Sequence, residues 1–186
     1  YLKENYNVKG IQFKDPTFGI SKKFIDDFYE EMKKRKVKIF WGMETRLDLL
    51  NKENIQKMYD IGLKNINIGI ETIDPEIAKK NKRMLAKLEH QEEIIDFCKK
   101  LGINISAFYI LGYEDDTEEL INSVIDYAIK LNTHLARFAV ATPYPGTEYF
   151  KRLESEGKLL TQEFEKYNQF TLVFKHENLS PEKIQQ

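Results

Sequence analysis

Apolar positions along this 186-residue chain fall into short alternating runs separated by helical stripes. Asn65-Ile66-Asn67-Ile68-Gly69-Ile70-Glu71-Thr72 places isoleucine at every second position, the period of a half-buried strand. Three β-branched side chains suit a pleated surface. The run closes on Glu71, and Asp74-Pro75-Glu76 then reads as an N-cap with proline at the first helical position. A carboxylate therefore sits at the end of a strand that feeds a helix, the end at which parallel α/β folds bind ligands. Alone, Glu71 reads as a solvated loop residue. Other segments that also end in polar or special residues shift that reading.

The same pattern recurs along the chain. Lys9 to Asp15 reads as a short strand stopped by Pro16. Ser21 caps a helix whose apolar stripe is Phe24, Ile25, Phe28 and Met32. Val37 to Trp41 reads as the second strand, running into Gly42-Met43-Glu44-Thr45-Arg46. Asn51 caps a helix with Ile55, Met58 and Ile61 on one face, closed by Gly62. Pro75 to Lys100 is helical, broken near Leu85-Ala86-Lys87, with Ile94, Ile95, Cys98 and Leu101 inward. Asn104 to Leu111 is nearly all apolar, as in a strand buried on both faces. A helix with Leu120, Val124, Tyr127 and Leu131 inward follows. Leu135 to Ala141 is the fifth strand, Pro143-Tyr144-Pro145-Gly146-Thr147 is its rigid turn, and Thr147 opens another helix.

Strand then helix, repeated with short connections, predicts an α/β fold of five parallel strands with outer helices. That number is too small for a closed eight-stranded barrel, leaving an open sheet or an arc of a barrel. Residues 1–160 form this body, and 161–186 an extension with an apolar run at Thr171-Leu172-Val173-Phe174 and a last helix start at Ser180-Pro181.

Net charge is −1, so no global field draws nucleic acid or a membrane surface. A single cysteine rules out an internal disulfide and a cysteine-only metal cluster, and fits a reducing cytoplasm. No apolar run is long enough to span a bilayer. His90, His134 and His176 lack metal-ligand spacing, and phosphate-loop, dinucleotide and nucleophile-elbow motifs are absent. The chain opens on Tyr1 without an initiator Met, which suggests a piece of a longer protein. Candidate chemistry sits at the strand ends: Asp15, Glu44 with Arg46, Glu71, Gly112 and the Pro-Tyr-Pro-Gly-Thr turn. Carboxylates there can accept hydrogen bonds from an amine or a ribose, and Arg46 or Arg83 can pair with a carboxylate. Gly112 lets a ligand approach the backbone. An alternative is Schiff-base chemistry on Lys14 or Lys64, and a second is a non-catalytic (β/α) binding domain.

Taken together, Gln12-Phe13-Lys14-Asp15-Pro16-Thr17-Phe18, Trp41 to Asp48, Gly62 with Gly69-Ile70-Glu71-Thr72, Tyr109-Ile110-Leu111-Gly112, and Pro143 to Thr147 with Glu156-Gly157 carry a family likeness. The chain resembles the radical S-adenosylmethionine superfamily, in the branch that often carries an amino-terminal cobalamin-binding domain. The resemblance implies an incomplete six-stranded (β/α) barrel whose second to sixth strands are these five. The first strand and the CxxxCxxC loop would precede Tyr1. Without three thiolates this chain cannot hold a 4Fe-4S cluster, so the resemblance implies a fragment inactive alone. In the parent enzyme it implies S-adenosylmethionine as cofactor, a deoxyadenosyl radical, hydrogen abstraction or methyl or methylthio transfer, and cobalamin as a further cofactor of the branch. By position, Glu44 and Glu71 would contact the methionine part or ribose. Arg83, with Lys82 nearby, would take the cofactor carboxylate. Gln12 to Asp15 would receive the amino group, though the family's double glycine is missing, and Ser106 is the polar residue available for the ribose. The Pro143 turn would lie near adenine or substrate. The first strand, lacking its neighbour, would expose an edge for self-association, which sedimentation at high concentration checks.

Overall fold

The computed structural model describes Tyr1 and residues 5–184. Five strands are hydrogen-bonded in the order β1-β2-β3-β4-β5: Gly10–Gln12, Phe40–Arg46, Leu63–Glu71, Asn104–Leu111 and Leu135–Val140. The β1–β2 and β2–β3 ladders are parallel. Seven helices accompany them among the described residues: α1 Lys22–Lys34, α2 Lys52–Asp60, α3 Pro75–Lys80, α4 Leu88–Lys100, α5 Glu118–Leu131, α6 Glu148–Ser155 and α7 Pro181–Ile184. No described helix is long and apolar enough to cross a membrane.

The caps follow from the sequence. Ser21 Oγ accepts from Phe24 N at 3.2 Å and Asn51 Oδ1 from Asn54 N at 2.9 Å. Asp74 Oδ1 takes two backbone N–H groups, at 2.8 and 2.9 Å, and Thr147 Oγ1 accepts from Phe150 N at 3.2 Å. Each satisfies N–H groups that a helix start leaves without partners.

Two strand expectations are corrected. The first strand is only Gly10–Gln12, not Lys9 to Asp15. Phe13 still donates to Gly42 O at 2.9 Å, but its ring then turns into an aromatic cluster and the ladder stops. The second strand is Phe40–Arg46, not Val37 to Trp41. Its pairing starts where its neighbour starts, Phe40 opposite Gly10, and runs on beside β3 to Arg46 opposite Gly69. Glu44 thus lies inside the strand, opposite Asn67, and not beyond its end.

The molecule divides into two compact units. The first comprises Tyr1–Ile70, Met84–Phe108 and Leu131–Ala136. Its core holds Trp41 among Phe13, Phe18 and Phe28, with ring centroids 5.4–5.7 Å from the indole. Trp41 Nε1 donates to Ile61 O at 3.0 Å, so the indole is buried with its polar atom satisfied. Ile66 and Ile68 of β3 and Ile94, Ile95 and Cys98 of α4 are buried.

The second unit comprises Glu71–Arg83, Tyr109–Lys130 and Arg137–Gln186. One cluster joins Ile77, Tyr113 and Ala141, and another joins Leu153, Leu172 and Phe174. Leu159 bridges Phe174 antiparallel, and Val140 donates to Gln169 O at 2.7 Å. The Thr171 to Phe174 run is therefore core, with Val173 and Phe174 fully buried.

Candidate functional site

Side chains alternate across a strand, so each ladder has two unlike faces. In the first unit, Trp41, Met43, Thr45, Ile66 and Ile68 point into the core. Gln12, Gly42, Glu44, Asn65, Asn67 and Gly69 occupy the opposite parity, Gln12 opposite Gly42 and Glu44 opposite Asn67. Gln12, Glu44 and Asn65 are exposed and Asn67 is half-buried. A Cβ on Gly42 would come within 2.1 Å of Gln12 Oε1, so the glycine makes room for that amide. This face offers carboxylate and amide groups on rigid strands. The Glu44 and Asp15 carboxylates have no hydrogen-bond or ion-pair partner among the described residues. Asp15 lies beyond β1 and is exposed, off the paired register. Arg46 is committed to Asp48, with Nη2 2.6 Å from Oδ2. Ser106, on β4, is half-buried.

In the second unit, Glu71 is the last residue of β3 and has φ of 65°, a left-handed conformation costly for a side-chain-bearing residue. Its carboxylate meets Arg83, with Nε 3.0 Å from Oε2. Arg83 is aimed by the end of α3: Lys82 N donates to Lys79 O and Arg83 N to Ala78 O, with Lys82 at φ 54°. That is a Schellman closure built on lysine where glycine is usual.

Gly112, at φ 78°, turns the chain out of β4. Its N–H and that of Tyr113 both donate to Asp116 Oδ2, at 2.8 and 3.0 Å. The space a Cβ of Gly112 would take is bounded by Ile184 Cδ1 at 3.0 Å. Asp116 is buried and its Oδ1 has no partner among the described residues. Burial pushes its carboxyl up to about 6, against the two backbone N–H groups that pull it down. His176 Nε2 lies 2.6 Å from Tyr113 O, and Nδ1 accepts from Asn178 N and Leu179 N, which makes Nε2 the protonated nitrogen. Glu114 is buried and paired with Arg152 and Lys158.

A cleft of about 590 Å³ opens in this unit, lined by the 80–83 turn, the ends of β4 and β5, and α6. Of the residues the sequence singled out, Arg83 lines this cleft, while Glu71 and Gly112 lie in the same unit but do not line it. The sequence missed Tyr113 and Tyr149, which also line the cleft, their hydroxyl oxygens turned away from solvent. Nothing in the local pattern marks them, because burial of a hydroxyl depends on which elements close over it.

Among the described residues no three His, Cys, Asp or Glu side chains could hold a metal ion. Cys98 is fully buried on α4, and burial pushes its thiol up to about 12, so it packs as a small apolar group. These residues do not fit an iron–sulfur cluster. The polar face of β1–β3 does fit the hydroxyl and amine donors of a nucleoside amino acid. Lys64 lies with its ammonium 4.7 Å from the Tyr59 ring centroid.

The Radical SAM superfamily profile matches residues 1–128. An uncharacterised methyltransferase of Pyrococcus horikoshii is 30% identical over 186 residues, covering 98% of this chain and 40% of the relative. The bacteriochlorophyllide d C-12(1)-methyltransferase of Chlorobaculum tepidum is 25% identical over 175 residues, covering 94% of this chain and 38% of the relative. The chain thus spans about two fifths of the length of these two relatives. Among solved structures, the radical S-adenosylmethionine methyltransferase TsrM of Kitasatospora setae, with cobalamin and a 4Fe-4S cluster bound, superposes with a TM-score of 0.72. That likeness covers 83% of this chain and 30% of TsrM at 15% identity, and it shows the fold alone: a partial (β/α) barrel of parallel strands. S-adenosylmethionine and a 4Fe-4S cluster are the superfamily's cofactors. By the matched profile, which spans more than half of its length, this chain belongs to the radical S-adenosylmethionine superfamily.

Proposed function

We propose that this chain is the cofactor-holding core of a radical S-adenosylmethionine methyltransferase, working in the cytoplasm as part of a longer protein. The observation that carries the reading is the uncovered polar face of β1–β3. There Gln12, Glu44, Asn65 and Asn67 stand exposed or half-buried on strands whose other face is packed. Parallel strands are ordinarily covered on both faces, so an uncovered polar row is room for a ligand, and two relatives named as methyltransferases support methyl transfer.

The residues divide the work by their chemistry. Gln12 and Asp15 receive the cofactor's amino group, and Glu44 accepts from the amine or ribose. Glu71 and Arg83 form an ion pair at the end of β3 that can re-pair, Arg83 with the cofactor carboxylate and Glu71 with a ribose hydroxyl. Gly112 fixes the turn that presents Tyr113. When bound, the cluster supplies the electron that breaks the sulfonium bond, on cysteines contributed by the longer protein. Residues 1–160 make the barrel portion and 161–186 an extension to it.

The test uses the longer reading frame, reconstituted anaerobically with iron and sulfide and given S-adenosylmethionine. The parent protein is expected to show charge-transfer absorption and cofactor cleavage, and the 186-residue chain alone none. A reconstituted parent with neither signal overturns the proposal.

A further inference from the structure

A cleft can offer a ligand only the groups that it can spare. Four cations line the cleft of the second unit, Lys80, Lys82, Arg83 and Arg152, against one lining carboxylate, Glu148. Two of the four are fixed. Arg83 pairs with Glu71 and Arg152 with Glu114, carboxylates whose side chains are 25% and 8% exposed. Drawing either guanidinium away would strand a charge that water reaches poorly. The lysines are held differently. Lys80 pairs with Asp115, which does not line the cleft, and both side chains are about half exposed. Lys82 Nζ lies 3.0 Å from Glu148 Oε2, with side chains 82% and 90% exposed. This pair joins the 80–83 turn to the first turn of α6, and both of its members line the cleft. Ion pairs so open to water are screened and hold their members weakly. An ammonium has three N–H donors, and each carboxylate partner takes one. Two donors on each lysine are left for water or for an acceptor brought by a ligand. The ends of β4 and β5 give the cleft an apolar side, with Ile110 and Val140 half-buried and Tyr144 42% exposed.

We propose that Lys82, with Lys80 from the same turn, binds the carboxylate of an amphiphilic substrate whose apolar part lies against Ile110, Val140 and Tyr144, and that Glu148 holds the anion position until the substrate displaces it. The cleft volume of about 590 Å³ suits a small organic molecule. Lys82 holds the Glu148 carboxyl below its ordinary range, so the resident anion stays charged and competes with the incoming one. Calling the ligand a substrate rests on the methyltransferase reading; the anion position itself does not. Arg83 and Glu71 keep their own pairing here and stay available to the cofactor.

The experiment titrates the full 186-residue chain, isotope-labelled at its amides, with naphthoate, with neutral naphthamide and with acetate. Naphthoate is expected to shift the Lys82 and Val140 amides and to bind more tightly than either of the others. Lys82→Gln weakens naphthoate by ~5-fold, the upper worth of an exposed ion pair, and Lys80→Gln weakens it by less. Glu148→Gln acts in the opposite direction and tightens naphthoate by ~2–5-fold, because it removes the competitor. Naphthamide binds all three variants as it binds the wild type. No binding of naphthoate at millimolar concentration, a Glu148→Gln variant that fails to tighten it, or a Lys82→Gln variant without effect overturns the proposal. Equal affinity for acetate removes the apolar half of the site, and equal affinity for naphthamide removes the anionic half; either overturns it. So does displacement of naphthoate by S-adenosylhomocysteine, which assigns the anion position to the cofactor. A parent protein that cleaves S-adenosylmethionine while naphthoate fails to bind sinks this inference and leaves the enzyme reading standing. Opposite shifts in the two variants, with no cleavage by the parent, do the reverse.

Discussion

The two units treat polar atoms differently. Five buried side-chain oxygens lack a partner among the described residues, and only Asn54 belongs to the first unit; Tyr109, Tyr113, Asp116 and Tyr149 belong to the second. In the first unit the large buried polar-bearing groups are satisfied at home: Trp41 by Ile61 O at 3.0 Å, Thr45 by Phe18 O at 2.7 Å. Its polar residues face out on the β1–β3 ladder, where water or a ligand reaches them. The second unit instead buries the Glu114 carboxylate against the more exposed cations Arg152 and Lys158, and holds Glu71 in a left-handed conformation. Strain and unmade hydrogen bonds cost stability, and they gather where structure serves binding. The first unit reads as a rigid body that carries its polar groups on a preformed open face, and the second as the one that holds strain and unmade hydrogen bonds inside.

Substitution breaks or sharpens this contrast. Trp41→Ala should cost about 3–5 kcal/mol of unfolding free energy, because it empties an aromatic cluster. Chemical denaturation checks it, and a cost near that of a surface change would erase the contrast. Asp116 gives a smaller, pH-dependent effect. Its folded carboxyl is raised from 3.8 to about 6, so the folded state prefers the protonated form. The ionisation penalty is absent below about pH 4, grows between there and pH 6, and is complete above. Two units correspond to ~2–3 kcal/mol lost as pH rises. Asp116→Asn keeps an oxygen for Gly112 N and Tyr113 N but carries no charge. Its stability should therefore gain on the wild type by that amount from pH 4 to pH 7. Parallel profiles would mean the carboxylate is better solvated than its burial indicates.

Much of the fold was legible. Alternating isoleucines gave β3, and Ser21, Asn51, Asp74 and Thr147 cap the helices expected of them. Less legible was the reach of β2, since Gly42-Met43-Glu44-Thr45-Arg46 lacks a clear apolar alternation and its length is set by neighbours. Of the site, Glu71 and Arg83 were named from sequence and are paired. The lysine-built Schellman turn that aims Arg83 was hidden, because it lacks the usual glycine. The Glu114–Arg152 pair joins residues 38 apart, a contact only the tertiary fold creates.

The central claim is that the polar face of β1–β3 grips a sulfonium nucleoside. An amide NMR titration of the labelled chain with millimolar S-adenosylhomocysteine tests it directly. Shifts at Gln12, Glu44, Asn65 and Asn67, with the α1 and α2 surfaces silent, are the predicted result. Shifts confined to those helices, or none at saturation, would contradict it.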